Sequence, residues 1–123
     1  MYSNKLKDKS DAFADRIITC THVLKERKAQ PSIVSQLLRS GTSIGANVAE
    51  AQYAQSHKDL ISKFEIALKE VNETEYWLER IYHDKCMTER EFKSMRNDCI
   101  AIRRILVSSV TTLKKKQNSE NCN

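Results

Sequence analysis

Two clusters of lysine, one near each end of the chain, are the side chains whose type and spacing most favour binding chemistry. They are Lys5, Lys7, Lys9, Lys114, Lys115 and Lys116. Lysines at the C-terminus of a helix complement the helix dipole, whereas lysines at an N-terminus add to partial positive charge that is already there. The first cluster is therefore locally unfavourable. Two interpretations remain open: a polyanion binds these lysines, or they serve only solubility.

The charge of the chain is also unevenly distributed. Residues 1–30 contain seven Lys or Arg against four acidic residues, and residues 87–123 contain eight against four. Residues 57–86, in contrast, contain five basic and seven acidic residues, within a total net charge of +5. No run of arginines and no alternation of basic with aromatic residues predicts the reading of base edges. Any contact with nucleic acid is therefore expected to be to phosphates and to depend only weakly on sequence.

Carboxylates crowd one segment, but their spacing does not predict catalysis. Four-helix bundles can hold di-iron centres, which require Glu-x-x-His on two helices, and the chain contains no Glu-x-x-His. Most of these glutamates are expected to face solvent. Glu75 is the exception, because its angle places it near the apolar stripe; it either pairs with an arginine of a neighbouring helix or reaches the surface at the edge. The glutamates are Glu65, Glu70, Glu73, Glu75 and Glu79.

Histidine and cysteine do not have the spacing of a zinc site either. Cys20 and His22 diverge by about 200° on a helix, which leaves His83 and Cys86 as a single close pair. Structural zinc sites normally take paired ligands from both halves of the site, on loops or helix ends. The sequence also lacks a glycine-rich phosphate loop, a nucleophile elbow and a Cys-His catalytic signature. We therefore predict a protein that is not an enzyme and that binds no metal or cofactor.

Long helices must position all of these residues. Two glycines, one proline and 30% charged residues are typical of a helical protein. Apolar residues recur at three- and four-residue steps in four segments of the chain. Pro31 is predicted to separate the first helix from the second, because a proline disfavours helical backbone at the residue before it. Ser56 is predicted to cap the third helix. Thr88 and Glu91 form a capping box just before the fourth.

Short connections between such helices place consecutive helices antiparallel. The first helix is predicted to span residues 5–28 and the second residues 31–53. The sequence thus predicts an all-α, antiparallel up-down-up-down four-helix bundle in residues 1–116, followed by a disordered polar tail in residues 117–123. In this topology the start of the first helix and the end of the fourth lie at the same pole. The two lysine clusters are therefore expected to come together there.

The second helix is unusual because small residues occupy its outer face as well as its inner face. Both glycines, Gly41 and Gly45, fall within it, and each costs about 1 kcal/mol relative to alanine. We interpret it as a helix packed on two sides, by its own bundle and by another subunit; the alternative is a helix frayed in its middle. In the third helix, Ile66 and Trp77 are predicted to point away from the core, which indicates either a subunit contact or random exposure. The predicted oligomer interface is Arg39, Ser43, Ala46, Asn47, Glu50, Ile66 and Trp77.

Two segments resemble a known family. The first match is carried by Arg39, Ser43, Ile44, Asn47, Ala49 and Glu50. They fit a signature in which an arginine precedes small residues and an Asn-hydrophobic-Ala-Glu run, although Gly45 and Ala51 depart from the proline and glycine that the family often has there. The second match is the segment ALKEVNETEYWL at residues 67–78. Over residues 5–116 the chain resembles the bacterial four-helix-bundle proteins of the 23S rRNA intervening-sequence type.

The resemblance implies a four-helix bundle and, through a related group, a function. The accessory variability determinants of diversity-generating retroelements form pentameric barrels that bind nucleic acid and a reverse transcriptase. The resemblance therefore implies a homo-oligomer, by this comparison a pentamer, with RNA or DNA and a protein such as a reverse transcriptase as partners. We predict a non-enzymatic accessory factor that binds nucleic acid with little sequence specificity through its basic pole. The alternative is a structural assembly module whose ring presents a surface to a protein partner.

The four cysteines are expected to be reduced rather than paired. Cys20 and Cys99 lie in apolar stripes, where cysteine acts as a small buried hydrophobe, whereas Cys86 falls in a turn and Cys122 in the tail. No apolar run approaches the roughly 18 residues of a membrane span. The first residues do not resemble a signal peptide. We therefore predict a cytoplasmic protein without membrane contact.

Overall fold

Four helices make up the part of the chain that the computed structural model describes, residues 4–121. Helix α1 spans Asn4–Glu26, α2 Pro31–Ala51, α3 His57–His83 and α4 Glu89–Asn121. Each helix packs against the next, and α1 also contacts α4, which closes an antiparallel up-down-up-down bundle. This confirms the all-α four-helix bundle predicted from the apolar periodicity. No helix in the described range has the length and apolarity to cross a membrane.

Helices α3 and α4 begin where side chains satisfy the first free backbone N–H groups. At the start of α3, Ser56 Oγ accepts a hydrogen bond of 3.0 Å from the Asp59 N–H. At the start of α4, Thr88 Oγ1 accepts from the Glu91 N–H at 3.1 Å, and Glu91 Oε1 accepts from the Thr88 N–H at 2.8 Å. Both caps are confirmed as the sequence predicted them. They set the points at which the chain turns back on itself.

The C-terminal ends of three helices differ from the sequence prediction. Helix α2 ends at Ala51 rather than at residue 53. Helix α1 ends at Glu26 rather than at residue 28, because Lys28 takes a left-handed φ of 60°. At the other end, α4 continues to Asn121, whereas the prediction had a disordered tail in residues 117–123. No proline or glycine occurs in residues 114–121, so the helix propagates from the preceding turns. No break in the helix therefore marks the predicted end of the bundle at residue 116.

Small residues let α2 approach both of its neighbours closely. Gly41 and Gly45 are buried on the side that faces α1. On the side that faces α3, Thr74 Oγ1 donates a hydrogen bond of 3.0 Å to Ser40 Oγ, and both residues are fully buried. Helix α2 is continuous from Pro31 to Ala51, which excludes the frayed alternative. Its glycines are therefore explained by packing within the subunit.

The contact between α1 and α4, called here the α1–α4 seam, is the loosest between adjacent helices of the bundle. Two ion pairs cross it: Arg16 pairs with Asp98, and Arg27 Nη1 lies 2.8 Å from Glu91 Oε1. A cavity of about 350 Å³ lies between these helices, and Cys20 lines it. Cys20 is half-buried rather than buried as predicted, because α1 and α4 stay apart at this level.

Helices α3 and α4 pack more closely than α1 and α4 do, and their contact includes a charged pair. Glu75 pairs with Arg103 of α4, and both side chains are largely buried. Arg103 Nε also donates a hydrogen bond of 3.1 Å to Asn72 Oδ1. Of the two interpretations of Glu75, pairing with an arginine of a neighbouring helix is confirmed.

Candidate nucleic-acid interface

The basic pole is the end of the bundle where α1 begins, α4 ends, and residues 52–56 connect α2 to α3. Lys114 of α4 lies beside α3 at this end, with its Nζ 2.9 Å from Glu65 Oε2. Lys7 of α1 is close enough to Tyr53, in the connection, for the two side chains to interact electrostatically. The structure thus brings the two lysine clusters to one end of the molecule, as the up-down order requires.

Two of the six lysines are paired with carboxylates. Lys7 Nζ lies 2.7 Å from Asp11 Oδ2, one turn along α1, and Lys114 pairs with Glu65 of α3. The hydrogen bond that Lys7 Nζ donates to the Asp11 carboxylate raises the pKa of Lys7, and Coulombic attraction to the same carboxylate adds to the effect. Both pairs are about half exposed, and exposed ion pairs contribute little to stability. A phosphate can therefore compete with these carboxylates for both ammonium groups.

The remaining lysines of the two clusters have exposed side chains. Lys5, Lys9, Lys115 and Lys116 are all exposed. In the described part of the chain, Lys9, Lys115 and Lys116 form no ion pair. Lys9 also borders a smaller cavity of about 220 Å³ in the α1–α4 seam, next to Arg16. Uncompensated ammonium groups on one surface raise the local concentration of anions.

Two further residues belong to the basic pole but were not among the predicted site residues. Lys58 is exposed in the first turn of α3. Tyr53 is 86% exposed, just after the end of α2. A signal for Tyr53 does exist in the sequence, since it is the only large side chain of low polarity in the connecting segment QYAQS at residues 52–56. Its proximity to the lysines becomes apparent only when the helices are packed.

The predicted oligomer interface is brought together on the side of the bundle where α2 and α3 meet. Arg39 of α2 pairs with Glu70, at 3.3 Å between Nη1 and Oε2, and also with Glu73. Trp77 Nε1 donates a hydrogen bond of 3.5 Å to the same Glu73 carboxylate. Arg39 and Trp77 are thus joined through Glu73. Trp77 is half-buried and packs against the core, so its ring does not point directly away from the core as predicted.

The other predicted interface residues lie on the surfaces of α2 and α3. Ser43 Oγ donates to the Arg39 carbonyl at 2.6 Å, and Asn47 Nδ2 donates to the Ser43 carbonyl at 2.8 Å. These side chains are therefore folded back onto their own helix. Ala46 is exposed between them, Glu50 lies 3.9 Å from Lys63 Nζ, and Ile66 is 40% exposed. Because Ser43 and Asn47 are already held by these hydrogen bonds, little of their conformational freedom would be lost if another surface covered them.

The larger cavity of the α1–α4 seam has mostly apolar walls. Val23, Met87 and Met95 line the cavity of about 350 Å³ beside Cys20. Burial raises the pKa of the Cys20 thiol, which favours the protonated form over a reactive thiolate. Within the described residues, no group of three or more His, Cys, Asp or Glu side chains could hold a metal ion.

Comparison with known proteins places the chain in a family. The model for the 23S rRNA-intervening sequence proteins matches residues 3–108, which cover α1, α2, α3 and more than half of α4. The chain belongs to the 23S rRNA-intervening sequence protein family. One similar solved structure is a protein with unknown function from the S23 ribosomal protein family of Bacteroides thetaiotaomicron, with 46% sequence identity and a TM-score of 0.83 over 85% of this chain and 97% of that chain. No curated protein matches the chain.

The match to the 23S rRNA-intervening sequence proteins ends before the second lysine cluster. It covers Lys5, Lys7 and Lys9 at the start of α1 but stops at residue 108. Lys114 and the two lysines after it lie in the last turns of α4, beyond the match. The basic pole of this intervening-sequence protein therefore combines a segment inside the family match with one outside it.

Proposed function

We propose that this protein is a non-enzymatic, oligomeric accessory factor of the cytoplasm that binds nucleic acid through phosphate contacts at its basic pole. The observation that carries the proposal is the concentration of exposed lysines at the one end of the bundle where α1 begins and α4 ends. Lys9 there, and Lys115 and Lys116 on α4, form no ion pair in the described part of the chain. A polyanion offsets this charge and releases its own counterions on binding.

Assembly into a ring multiplies the effect of each basic pole. With cyclic symmetry, every subunit places its copy of the pole on the same side of the ring. A modest patch then becomes a continuous basic rim. The exposed Ala46 on α2 and the exposed Ile66 on α3 support such a subunit contact. We propose a homopentamer, and the number five rests on the resemblance to the retroelement accessory determinants.

A surface that contacts only phosphates should bind nucleic acids of different sequence with similar affinity. The basic pole has no arginine, and arginine is the side chain most often used to read guanine edges. Phosphate contacts orient a protein on nucleic acid but carry no direct sequence information. Either RNA or DNA is therefore a suitable partner for this surface.

The direct test measures binding of labelled oligonucleotides by fluorescence anisotropy over a range of salt concentrations. The test variant changes four exposed lysines of the basic pole to glutamine: Lys5, Lys9, Lys115 and Lys116. A matched control removes the same charge at the opposite pole: Lys25, Lys28, Lys85 and Lys93. We expect the wild-type protein to bind at about 50 mM salt and log Kd to rise by roughly 0.7–0.9 per log unit of salt for each phosphate neutralised.

The two variants separate a specific role of the basic pole from the effect of net charge. The pole variant should lose most of its affinity and have a shallower salt slope, whereas the control should stay close to wild type. Equal losses in both variants would mean that net charge, and not the basic pole, governs binding. If the wild-type oligomer binds neither RNA nor DNA at about 50 mM salt, where nonspecific contacts are strong, the proposal fails. An assembly module that presents a ring surface to a protein partner, such as a reverse transcriptase, then takes its place.

A further inference from the structure

Tyr53 is exposed to an extent that the packing of the subunit does not require. At 86% exposure it is the most exposed large side chain of low polarity in the described part of the chain. An aromatic ring normally contributes to stability by burying 150–250 Å² of surface. Tyr53 gives up nearly all of this contribution, so its presence in the connection between α2 and α3 is not explained by stability.

The backbone that carries this ring is held in place. The Tyr53 N–H donates a hydrogen bond of 3.0 Å to the Glu50 carbonyl, and the Ala54 N–H donates one of 3.2 Å to the Ala51 carbonyl. Ala51 is buried and Ala54 packs against the core on the other side of Tyr53. The ring is thus presented from an ordered turn. A tyrosine has only two side-chain torsions, so fixing it against a partner costs little entropy.

Two lysines of the basic pole lie on the elements next to Tyr53. Lys7 of α1 interacts with it electrostatically, and Lys58 follows five positions later in the first turn of α3. The other strongly exposed tyrosine has ring partners of its own: Tyr76 lies edge-on to Trp77 at 5.0 Å, and Arg80 lies over its face at 5.5 Å. In the described residues Tyr53 contacts no other aromatic ring and no arginine. At 86% exposure, most of the surface of its side chain is accessible.

Resting on the proposed function, we infer that the basic pole binds single-stranded nucleic acid and that Tyr53 stacks on one of its bases. Lysines that follow the backbone, combined with an aromatic side chain on which a base stacks, are the arrangement by which proteins hold single strands without sequence preference. A duplex keeps its bases stacked inside the helix and offers Tyr53 no face. The stacking contact therefore distinguishes single strands from duplexes, whereas the lysines alone do not.

The test compares a single-stranded oligonucleotide of mixed sequence with its duplex, as RNA and as DNA, at one salt concentration by fluorescence anisotropy. Y53A should weaken single-strand binding by about 5- to 150-fold, the range given by the loss of one stacked base. Its duplex binding and the salt slope should stay unchanged, since no phosphate contact is lost. Y53F and Y53W should restore single-strand binding. The control Y76A, also at an exposed tyrosine, should bind as the wild-type protein does.

Failure of this inference differs from failure of the proposed function. Wild-type protein that binds duplex as tightly as single strand, or Y53A that binds single strand as tightly as wild type, overturns the inference and leaves phosphate binding in place. A change in oligomer size for Y53A, measured by light scattering, also overturns it, because Tyr53 is then a subunit contact. Absence of any binding by the wild-type protein removes the proposed function and this inference together.

Discussion

Gly41 of α2 lies directly against Ile17 of α1: a Cβ atom placed on Gly41 would stand 2.7 Å from Ile17 Cγ1. Ile17 is fully buried and β-branched, so its side chain has little freedom to move aside. At Gly45 the corresponding Cβ would lie 3.4 Å from the Ser10 carbonyl oxygen, an ordinary van der Waals distance. The close approach of α1 and α2 therefore requires glycine at the first position but not at the second.

The two glycine substitutions should change stability in opposite directions. G41A should lower the free energy of unfolding by about 1–3 kcal/mol, because the added methyl overpacks the contact with Ile17. G45A should raise it by up to about 1 kcal/mol, because alanine is the better helix former and meets no clash. Urea denaturation of both variants beside wild type measures the difference. A loss of similar size in both would contradict the assignment of the close contact to Gly41.

The ion pair between Arg27 and Glu91 should make stability depend on acid pH. Hydrogen bonding to Arg27, together with the backbone hydrogen bond from Thr88, lowers the pKa of Glu91 from 4.5 to about 2. A lowered pKa in the folded state contributes stability that is present above pH 4.5 and is lost as the pH falls from there through 2. Because both side chains are about 40% exposed, we expect a contribution of about 1 kcal/mol rather than the full value of the shift.

The variant E91Q tests this dependence. The difference in free energy of unfolding between wild type and E91Q should be largest above pH 5 and should shrink between pH 4.5 and 2. Chemical denaturation at a series of pH values measures it, and the double variant R27Q/E91Q should resemble E91Q. A difference that stays constant across this pH range would show that the charge of Glu91 is not responsible.

The thiols should differ in reactivity according to their burial. Cys99 is fully buried, and burial raises its pKa to about 12, so only about one thiol in ten thousand is ionised at pH 8. Cys20 is half-buried beside the cavity in the α1–α4 seam and should react faster. Cys122 lies outside the described residues and is predicted to react at once. Labelling of single-cysteine variants with a disulfide reagent measures the order, and equal rates for Cys99 and Cys20 would contradict it.

Substitution on the outer face of α2 should dissociate the proposed oligomer without unfolding it. A46E introduces a long charged side chain at an exposed position of the predicted interface, and an unpaired charge in a buried interface is costly. Light scattering should report a mass near 14.2 kDa for this variant, that of one chain, and a mass near the pentamer for wild type. Circular dichroism should stay unchanged. The control T111E, on an exposed part of α4, should keep the wild-type mass, and monomeric wild type at micromolar concentration would refute assembly.

The helices and their starting points could be predicted because the responsible interactions are local. A capping box is formed by residues three positions apart, so the hydrogen bonds between Thr88 and Glu91 can be predicted from the sequence alone. Periodicity likewise identifies the buried face of each helix. The pairing of Glu75 with an arginine could be anticipated from its angle, although the sequence did not identify Arg103 as the partner.

The candidate site was harder to predict because its composition depends on how the helices pack. A helical wheel gives the direction of Trp77 from its own axis, but its burial depends on the neighbouring helix and on the hydrogen bond to Glu73. The pairing of Lys114 with Glu65 joins two helices far apart in sequence. Tyr53 becomes a neighbour of Lys7 only through the course of the connection between α2 and α3.

The subunit resembles a strip of four helices that is folded round until its first and last helices meet at the α1–α4 seam. Contacts are close along the chain order and loose between the first and last helix. The two halves of the basic pole lie on opposite edges of this strip, with Lys9 on α1 and Lys116 on α4. The ion pairs of Arg16 with Asp98, near the middle of α1, and of Arg27 with Glu91, at the far end, join these two edges. In the proposed complex, the two lysine clusters would therefore lie on either side of the loosest helix contact, so their separation is the dimension of the site that packing fixes least.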